Sequence, residues 1–549
     1  MDDITRHALT RRTFLGGALA AGGLLLAGCG SGGTPSGSSP GSGASGGSAS
    51  GGSASAGASG GSASAAASAG ASSGVSADAL RIGVPTDFLP SAVQRFNPSN
   101  RPLRRTVYDV LIDRKPDGSY APALAKSWEF SSDNKTLVLD LVEGVTFHSG
   151  RDFGADDVVF SLQTAMEKTA AVQEATLLQR ASGIKKSGAN QVTVTFDDPF
   201  VSFMDALAMI PIVDEKTYSD IADGKQIVGT GPFTWKSWTP GSSVEMGRND
   251  SYWQEGKPYL PGLEFSIVTE SQALLAAMRS GDLDLAMRML ARDAATLQKD
   301  SKFSVSASPG YDTYVGVSTN VKPLDDIRVR QAIAYCIDRK RIVSQVYQGF
   351  AEASCCLWDS NTDGVTDAMV NHYSYDIDKA KSLLADAGAS GAEIELAPSP
   401  QDPAFASVGD IVRYGMEQAG LKVKNVSITA ADWPKRNQSH ELPALWISLV
   451  GLTVSGPVPT LLSSAPLTPD SNTSHFTTDE YTSLTDALLA APDDQKSSAL
   501  GDLTTYMIDQ AFHNTVAQTQ VPIVSVAGLS GVGVDATLSL NLTNAKLSS

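Results

Sequence analysis

The chain predicts an α/β fold on three observations. From Asp378 onward helix and strand patterns alternate: Ala380, Leu383, Leu384 and Ala387 line a helix that Gly388 ends, 392–396 reads as a strand, 408–419 as a helix ended by Gly420, and 421–428 as the next strand. Alternation at that spacing implies parallel βαβ connections. Earlier, 120–162 sets strand, turn, strand and capped helix in succession. Finally, 549 residues, 42% hydrophobic and 18% charged, suffice for two or more domains around a substantial core.

Taken in order, the chain opens on Arg11 and Arg12 ahead of a Gly/Ala/Leu-rich run ending near Ala27, the charged-then-apolar order of an export signal over 1–28. A twin arginine fits twin-arginine export, and ordinary Sec leaders also carry paired arginines. The apolar run is too short to persist as a spanning helix. It stops at Leu26-Ala27-Gly28-Cys29, which resembles the lipobox of bacterial lipoproteins and implies lipid attachment at Cys29. Residues 30–77 hold only Gly, Ser, Ala, two Pro, one Thr and one Val, without a charge, so 29–77 is expected to be a disordered tether. A flexible chain of that length reaches about 35–40 Å.

The globular part is expected to begin with a strand at 79–84 and leave it through Pro85, Thr86, Asp87 and Phe88. Ser131–Asn134 carries turn chemistry between strands at 128–130 and 136–142, which makes a hairpin. Asp156 and Asp157 then sit where a helix begins, with Val158, Leu162 and Met166 on one face. After a strand at 192–196, Gly229-Thr230-Gly231-Pro232 lacks the helix and lysine of a phosphate loop, so its glycines serve a tight bend before a strand. Tyr252 and Trp253 fit core packing or stacking on a ligand. A strand at 314–320 precedes a helix from Asp325 through Arg339, with Val329, Ile333 and Ile337 on one face and Gly349 as its stop. Leu445–Val450 is the return strand of the α/β portion, and the tail runs from Ala511 through Ile523.

Several function classes are disfavoured. A formal net charge of -17 argues against nucleic acid as a partner, because phosphate contacts need clustered Lys and Arg. The six histidines, at 7, 148, 372, 440, 475 and 513, are scattered without metal-ligand spacing, so no metal and no cofactor is expected. No GxSxG elbow and no local carboxylate pair marks the folded part, so no catalytic residue is assigned. Beyond Cys29, the cysteines Cys336, Cys355 and Cys356 are an odd set that fits buried thiols or one disulfide.

The motifs together carry a resemblance. Pro122, Leu124, Trp128, Asp133, Gly144, Phe147, His148, Gly150, Asp157 and Val158 stand in an order that resembles the family 5 extracellular solute-binding proteins, the peptide, nickel and related receptors of ABC importers. GTGPF at 229–233, RNDSYW at 248–253, GDLDL at 281–285 and DDIRVRQA at 325–332 extend it over nearly all of 79–523. The pattern departs at Ser149, where the family usually has Asp, and at Gly154, where a Thr often opens the helix.

The resemblance implies a two-lobed periplasmic-binding-protein-like fold with an interlobe cleft: lobe I over 78–308, lobe II over 309–510, and 511–549 returning to lobe I. It implies a non-enzymatic, monomeric receptor for an oligopeptide-like or other small solute. Such a receptor is held to the outer face of the cell membrane by its lipid and delivers to an ABC permease and its ATPase. A surface-anchored hydrolase and a peptide-sensing receptor without transport are the competing readings. The loop after the first strand faces the cleft in that family, which makes Thr86, Asp87 and Phe88 ligand-binding candidates. On the second lobe the candidates are Trp446, Gly451, Leu452, Thr453 and Ser455. Peptide-binding members place an Asp on this strand to meet the substrate's amino terminus, whereas 446–457 contains no acid and the next is Asp470. That argues against zwitterionic peptide recognition in the familiar mode.

Overall fold

A computed structural model describes residues 79–94, 99–115, 119–167, 175–224, 226–451, 456–492, 495–535 and 539–548. The leader, Cys29 and the tether lie outside the described residues, as do Leu452, Thr453 and Ser455. Among the described residues no helix is long and apolar enough to cross a membrane.

The hairpin forms as its pattern dictates. Thr136–Leu141 alternates half-buried and buried positions, so Leu137, Leu139 and Leu141 all point to one face, each burial stabilising by about 1.5–3 kcal/mol. It pairs with Ala125–Phe130, Leu139 opposite Trp128, and the turn closes with Asn134 in the left-handed region at φ 53°. Gln191–Phe196 and Ala181–Gly188 complete a four-stranded antiparallel sheet. The helix Ala155–Met166 lays Val158, Leu162 and Ala165 into the same core. Gly154 has no side chain to cap that helix; instead Asp157 accepts the Gly154 N–H at 3.1 Å, and the Arg151 guanidinium bridges Asp157 and Asp214. A glycine is tolerated there because the acid three residues on carries the cap.

The main sheet has eleven strands among the described residues and runs through the whole α/β body. At one end Glu393–Pro398 lies parallel to both Lys422–Asn425 and Leu445–Val450, the expected βαβ arrangement, with Ala404–Gln418 as a crossover helix. At the other end Leu80–Val84 lies parallel to Gly262–Ile267 and to Leu285–Met287. Two long antiparallel strands, Phe303–Val317 and His513–Val526, join the ends, the second pairing also with Leu285–Met287. Of the expected strand at 314–320, 314–317 is the end of a longer element and 318–320 lies beyond it. One expected helix is two: Ile327–Tyr335 stops, and Asp338 caps a second, Arg339–Gln345, by accepting the Arg341 N–H at 3.0 Å. Cys336, Cys355 and Cys356 are free and buried, and burial pushes the Cys336 and Cys356 thiols up to about 12.

Candidate functional site

The family motifs build a scaffold. Buried Asp109 collects three donors: Thr230 Oγ1 at 3.0 Å, Tyr252 Oη at 3.1 Å and Trp253 Nε1 at 3.0 Å. The polar ends of the RNDSYW aromatics are thus spent inside the protein. The glycines of the adjoining bend press against backbone: a Cβ on Gly229 would lie 2.0 Å from the Val107 carbonyl oxygen, and one on Gly231 2.5 Å from its carbon. His148 clamps the bend from the other side. Its Nδ1 accepts the Gly229 N–H at 3.4 Å and its Nε2 donates to the Gly231 carbonyl at 2.9 Å, which fixes a neutral tautomer. Burial, opposed by the Gly231 bond, pushes this imidazole down to about 4.

The candidate site lies beside the two crossing strands. Their register shifts between Pro309 and Asp312; Gly310 approaches Thr519 so closely that a Cβ would be 2.6 Å from its carbonyl oxygen, and Thr519 Oγ1 both accepts the Tyr311 N–H and donates to the Tyr311 carbonyl. A bulge bends the strand pair at that point. Beside it opens a small cavity of about 20 Å³. Its floor is the carboxyl end of the parallel pair, Val84-Pro85-Thr86 from one strand and Met287-Arg288 from the other, which is where open α/β sheets take ligands. Ser308, Val521 and Ile523 of the crossing strands form one wall. Arg101 and Pro102, at the start of the helix Arg101–Thr106, form another.

Arg101, Arg288, Thr86, Ser99 and Ser308 are the polar residues in an otherwise apolar lining. Burial, then the charges of Arg288 and Arg104, push Arg101 down to about 9, so it stays charged at neutral pH. Burial also lowers Arg288, with Tyr311 and Asp402 pulling it back up. Arg288 Nη1 is buried without a hydrogen-bond partner, and the residue's backbone sits in the left-handed region at φ 54°. Strain of this kind concentrates at functional positions. Asp402, which accepts from Tyr311 Oη and from the Ala404 N–H, raises Arg288, and Asp535, paired with Arg105 at 3.3 Å, raises Arg101.

The structure separates the expected site residues. Thr86 lines the cavity. Asp87 next to it is bonded to Trp238 Nε1 at 3.0 Å and to the Gly241 N–H at 2.6 Å, tying its loop to a hairpin turn. Phe88 is buried, edge-on to Phe265 and Trp235 in the first-lobe core. Trp446 is fully buried in a second-lobe core, its indole over Gly316 and its Nε1 donating to Tyr314 Oη at 3.2 Å. Gly451 is half-buried at the end of Leu445–Val450. Sequence reasoning missed Arg101 and Arg288. A signal existed for each: Arg101 opens a helix, where the dipole disfavours a cation, and Arg288 ends the buried run Leu285–Met287.

The same architecture occurs in known proteins. The family described as bacterial extracellular solute-binding proteins, family 5 (middle region), matches residues 119–465, more than half of the chain. Heme-binding protein A of Haemophilus influenzae is 28% identical over 376 residues, covering 62% of this chain and 68% of its own. A dipeptide-binding protein of Pseudomonas aeruginosa is 26% identical over 379 residues, covering 63% and 71%. The crystal structure of a Pseudoalteromonas dipeptide-binding protein in complex with Met-Leu superposes with a TM-score of 0.73 at 19% identity, over 86% of this chain and all (100%) of that one. With its two-lobed sheet and its motifs in the family's order, the chain belongs to the bacterial extracellular solute-binding proteins of family 5.

Proposed function

We propose that this protein is the substrate-binding lipoprotein of an ABC importer. It is a monomer held to the outer face of the membrane through Cys29 and the 30–77 tether, and it delivers a peptide-like or other small solute to a permease whose partner ATPase supplies the energy. The lobes are 78–308 and 309–510, with 511–549 returning to the first. The observation that carries this reading is the position of the cavity. Its lining comes from the first lobe and the returning segment, and it sits beside the bulge at 309–312, where Phe303–Val317 runs on toward the second lobe. Relatives named for heme and for dipeptides support a small-solute role and leave its chemistry open. Thr86 contributes from the first lobe, and Gly451 with Leu452, Thr453 and Ser455 is proposed to meet the solute from the second.

Function then follows from hinge closure. A solute that touches both lobes favours the closed form by its differential affinity for it, and no covalent step is needed. The test is native mass spectrometry of the tether-free protein purified from its own host, followed by small-angle scattering with and without the solute so identified. Scattering that contracts on binding supports closure; unchanged scattering with the solute bound sinks it.

A further inference from the structure

We propose that the helix Pro457–Ser463 is a clasp that holds the two lobes shut through protein contacts of its own, apart from any that the solute makes. This rests on the two-lobe, hinge-closing reading above and adds a second joint to the crossing strands. The helix feeds two cores. Val458 is buried in the core built by the hairpin sheet and its helices, the helix lies against Ala175–Leu178, and Leu462 packs on the same core. The other buried members of that core, among the described residues, all come from 111–212, within the first lobe. Leu461, fully buried, belongs instead to the second-lobe core of Trp446 and Phe512. The helix Asp479–Ala490 divides in the same way, Leu488 joining the second-lobe core and Leu489 packing on the first-lobe one.

Polar groups meet beside this apolar contact. Gly456, at φ 106°, comes so close to Arg114 that a Cβ would stand 3.1 Å from its Nη2. Arg114 Nε lies 3.5 Å from Asp205 Oδ1, which also accepts from Tyr120 Oη at 2.7 Å, and the charge of Lys496, from the second lobe, acts on the same carboxylate. Motion about the crossing strands draws Val458 out of the first-lobe core, so closing recovers apolar burial whether or not a solute is bound. Pro457 and Pro459 fix the backbone of the first turn, so docking the helix costs little conformational freedom. Leu461 anchors the helix in the second-lobe core, so seating Val458 brings that lobe with it. The solute then shifts a balance that the clasp has already biased toward the closed form.

The experiment uses the chain carrying Cys29→Ala, with nitroxide labels on Lys185→Cys in the first lobe and Lys435→Cys in the second, both exposed positions; Cys336, Cys355 and Cys356 are buried. Interlabel distances are read by double electron–electron resonance without added ligand, and melting temperatures are taken alongside. The parent should show a short-distance population. Val458→Asp should shift the balance toward longer distances by about tenfold or more, and Val458→Ile should not. The melting temperature of Val458→Asp should stay within about 2 °C of the parent's, because the open form leaves position 458 in water, whereas Leu461→Ala, which truncates a core residue, should lower it by about 5 °C or more. Long distances alone in the parent overturn the clasp and leave solute-driven closure intact. Distances unchanged in Val458→Asp also overturn it. If that variant in addition melts as low as Leu461→Ala, the helix is a fixed joint, and hinge closure falls with the clasp.

Discussion

His513 Nε2 lies 2.7 Å from Asp312 Oδ2, with both side chains buried between the two strands that join the lobes. Tyr314 stacks on the imidazole at 4.0 Å, and Gln518 Nε2 donates to the other Asp312 oxygen at 3.2 Å. Burial pushes the Asp312 carboxyl up, and His513 pulls it back. Removing one partner of a buried hydrogen-bonded pair leaves the other unsatisfied, which costs about 1–3 kcal/mol. His513→Ala is therefore expected to lower the urea midpoint far more than Asp312→Asn, which removes the charge and keeps the shape. Equal losses for the two variants would mean that the carboxylate's charge, and not the hydrogen bond alone, holds the site.

His148 makes stability depend on pH with a definite sign. The unfolded imidazole takes a proton near its ordinary value of about 6.5, whereas the folded one, pushed down to about 4, does not. Between those values the unfolded state binds more protons, so this group's contribution is complete above about pH 6.5 and is lost as pH falls toward 4, by at most about 1.4 kcal/mol per unit. His148→Gln should flatten that part of the profile, measured as urea midpoints from pH 7.5 to 4.5. A variant with the parent's slope would assign the acid sensitivity to other groups.

Gly229 and Gly150 separate crowding from backbone freedom. A methyl on Gly229 meets the Val107 carbonyl at 2.0 Å, with backbone on the other side that cannot step away. Gly229→Ala should cost about 3 kcal/mol or more. Gly150 has open space around its Cβ position but a φ of 83°, so Gly150→Ala should cost only about 1 kcal/mol. Denaturant melts of the two variants check the difference.

Legibility in the sequence tracked how local the determining physics is. Leu445–Val450 and Thr136–Leu141 were readable because each buries its own alternating or continuous apolar run. The strand Phe303–Val317 was readable only at its apolar end. Its first half mixes serines with Pro309 and Gly310 and is held by residues about two hundred positions away, Ser308 opposite Val521. Pairing of that kind leaves no periodic trace in either segment. Arg288 was hidden for a related reason. The charges it interacts with, Arg101, Tyr311 and Asp402, come from three other parts of the chain. By contrast, the family motifs were plain in the sequence and serve packing, as the Asp109 hub shows.

Under the proposed anchoring, Cys29 sets the location of the protein. If it carries the lipid, Cys29→Ala should move the protein from the detergent phase to the aqueous phase in a detergent-partitioning assay without altering the melting temperature of the folded part. A single acyl chain holds a protein only marginally and two or more hold it firmly. Persistent detergent partitioning of the variant would mean that the uncleaved leader, not a lipid, provides the anchor.

Trp446 offers a clean division between packing and recognition. Its indole fills the space above Gly316, where a Cβ would stand 2.1 Å from the ring, and its exposure is 0%. Trp446→Ala should cost about 3–5 kcal/mol through the cavity it leaves. Gly316→Ala should destabilise from the opposite side by pushing the ring out of its place. A residue that only packs alters affinity little once the fraction folded is allowed for, so the solute's Kd for Trp446→Phe should stay within about twofold of the parent. A tenfold loss of affinity with an unchanged melting temperature would instead put the indole on the solute, and would place the second-lobe wall of the cleft along Leu445–Val450.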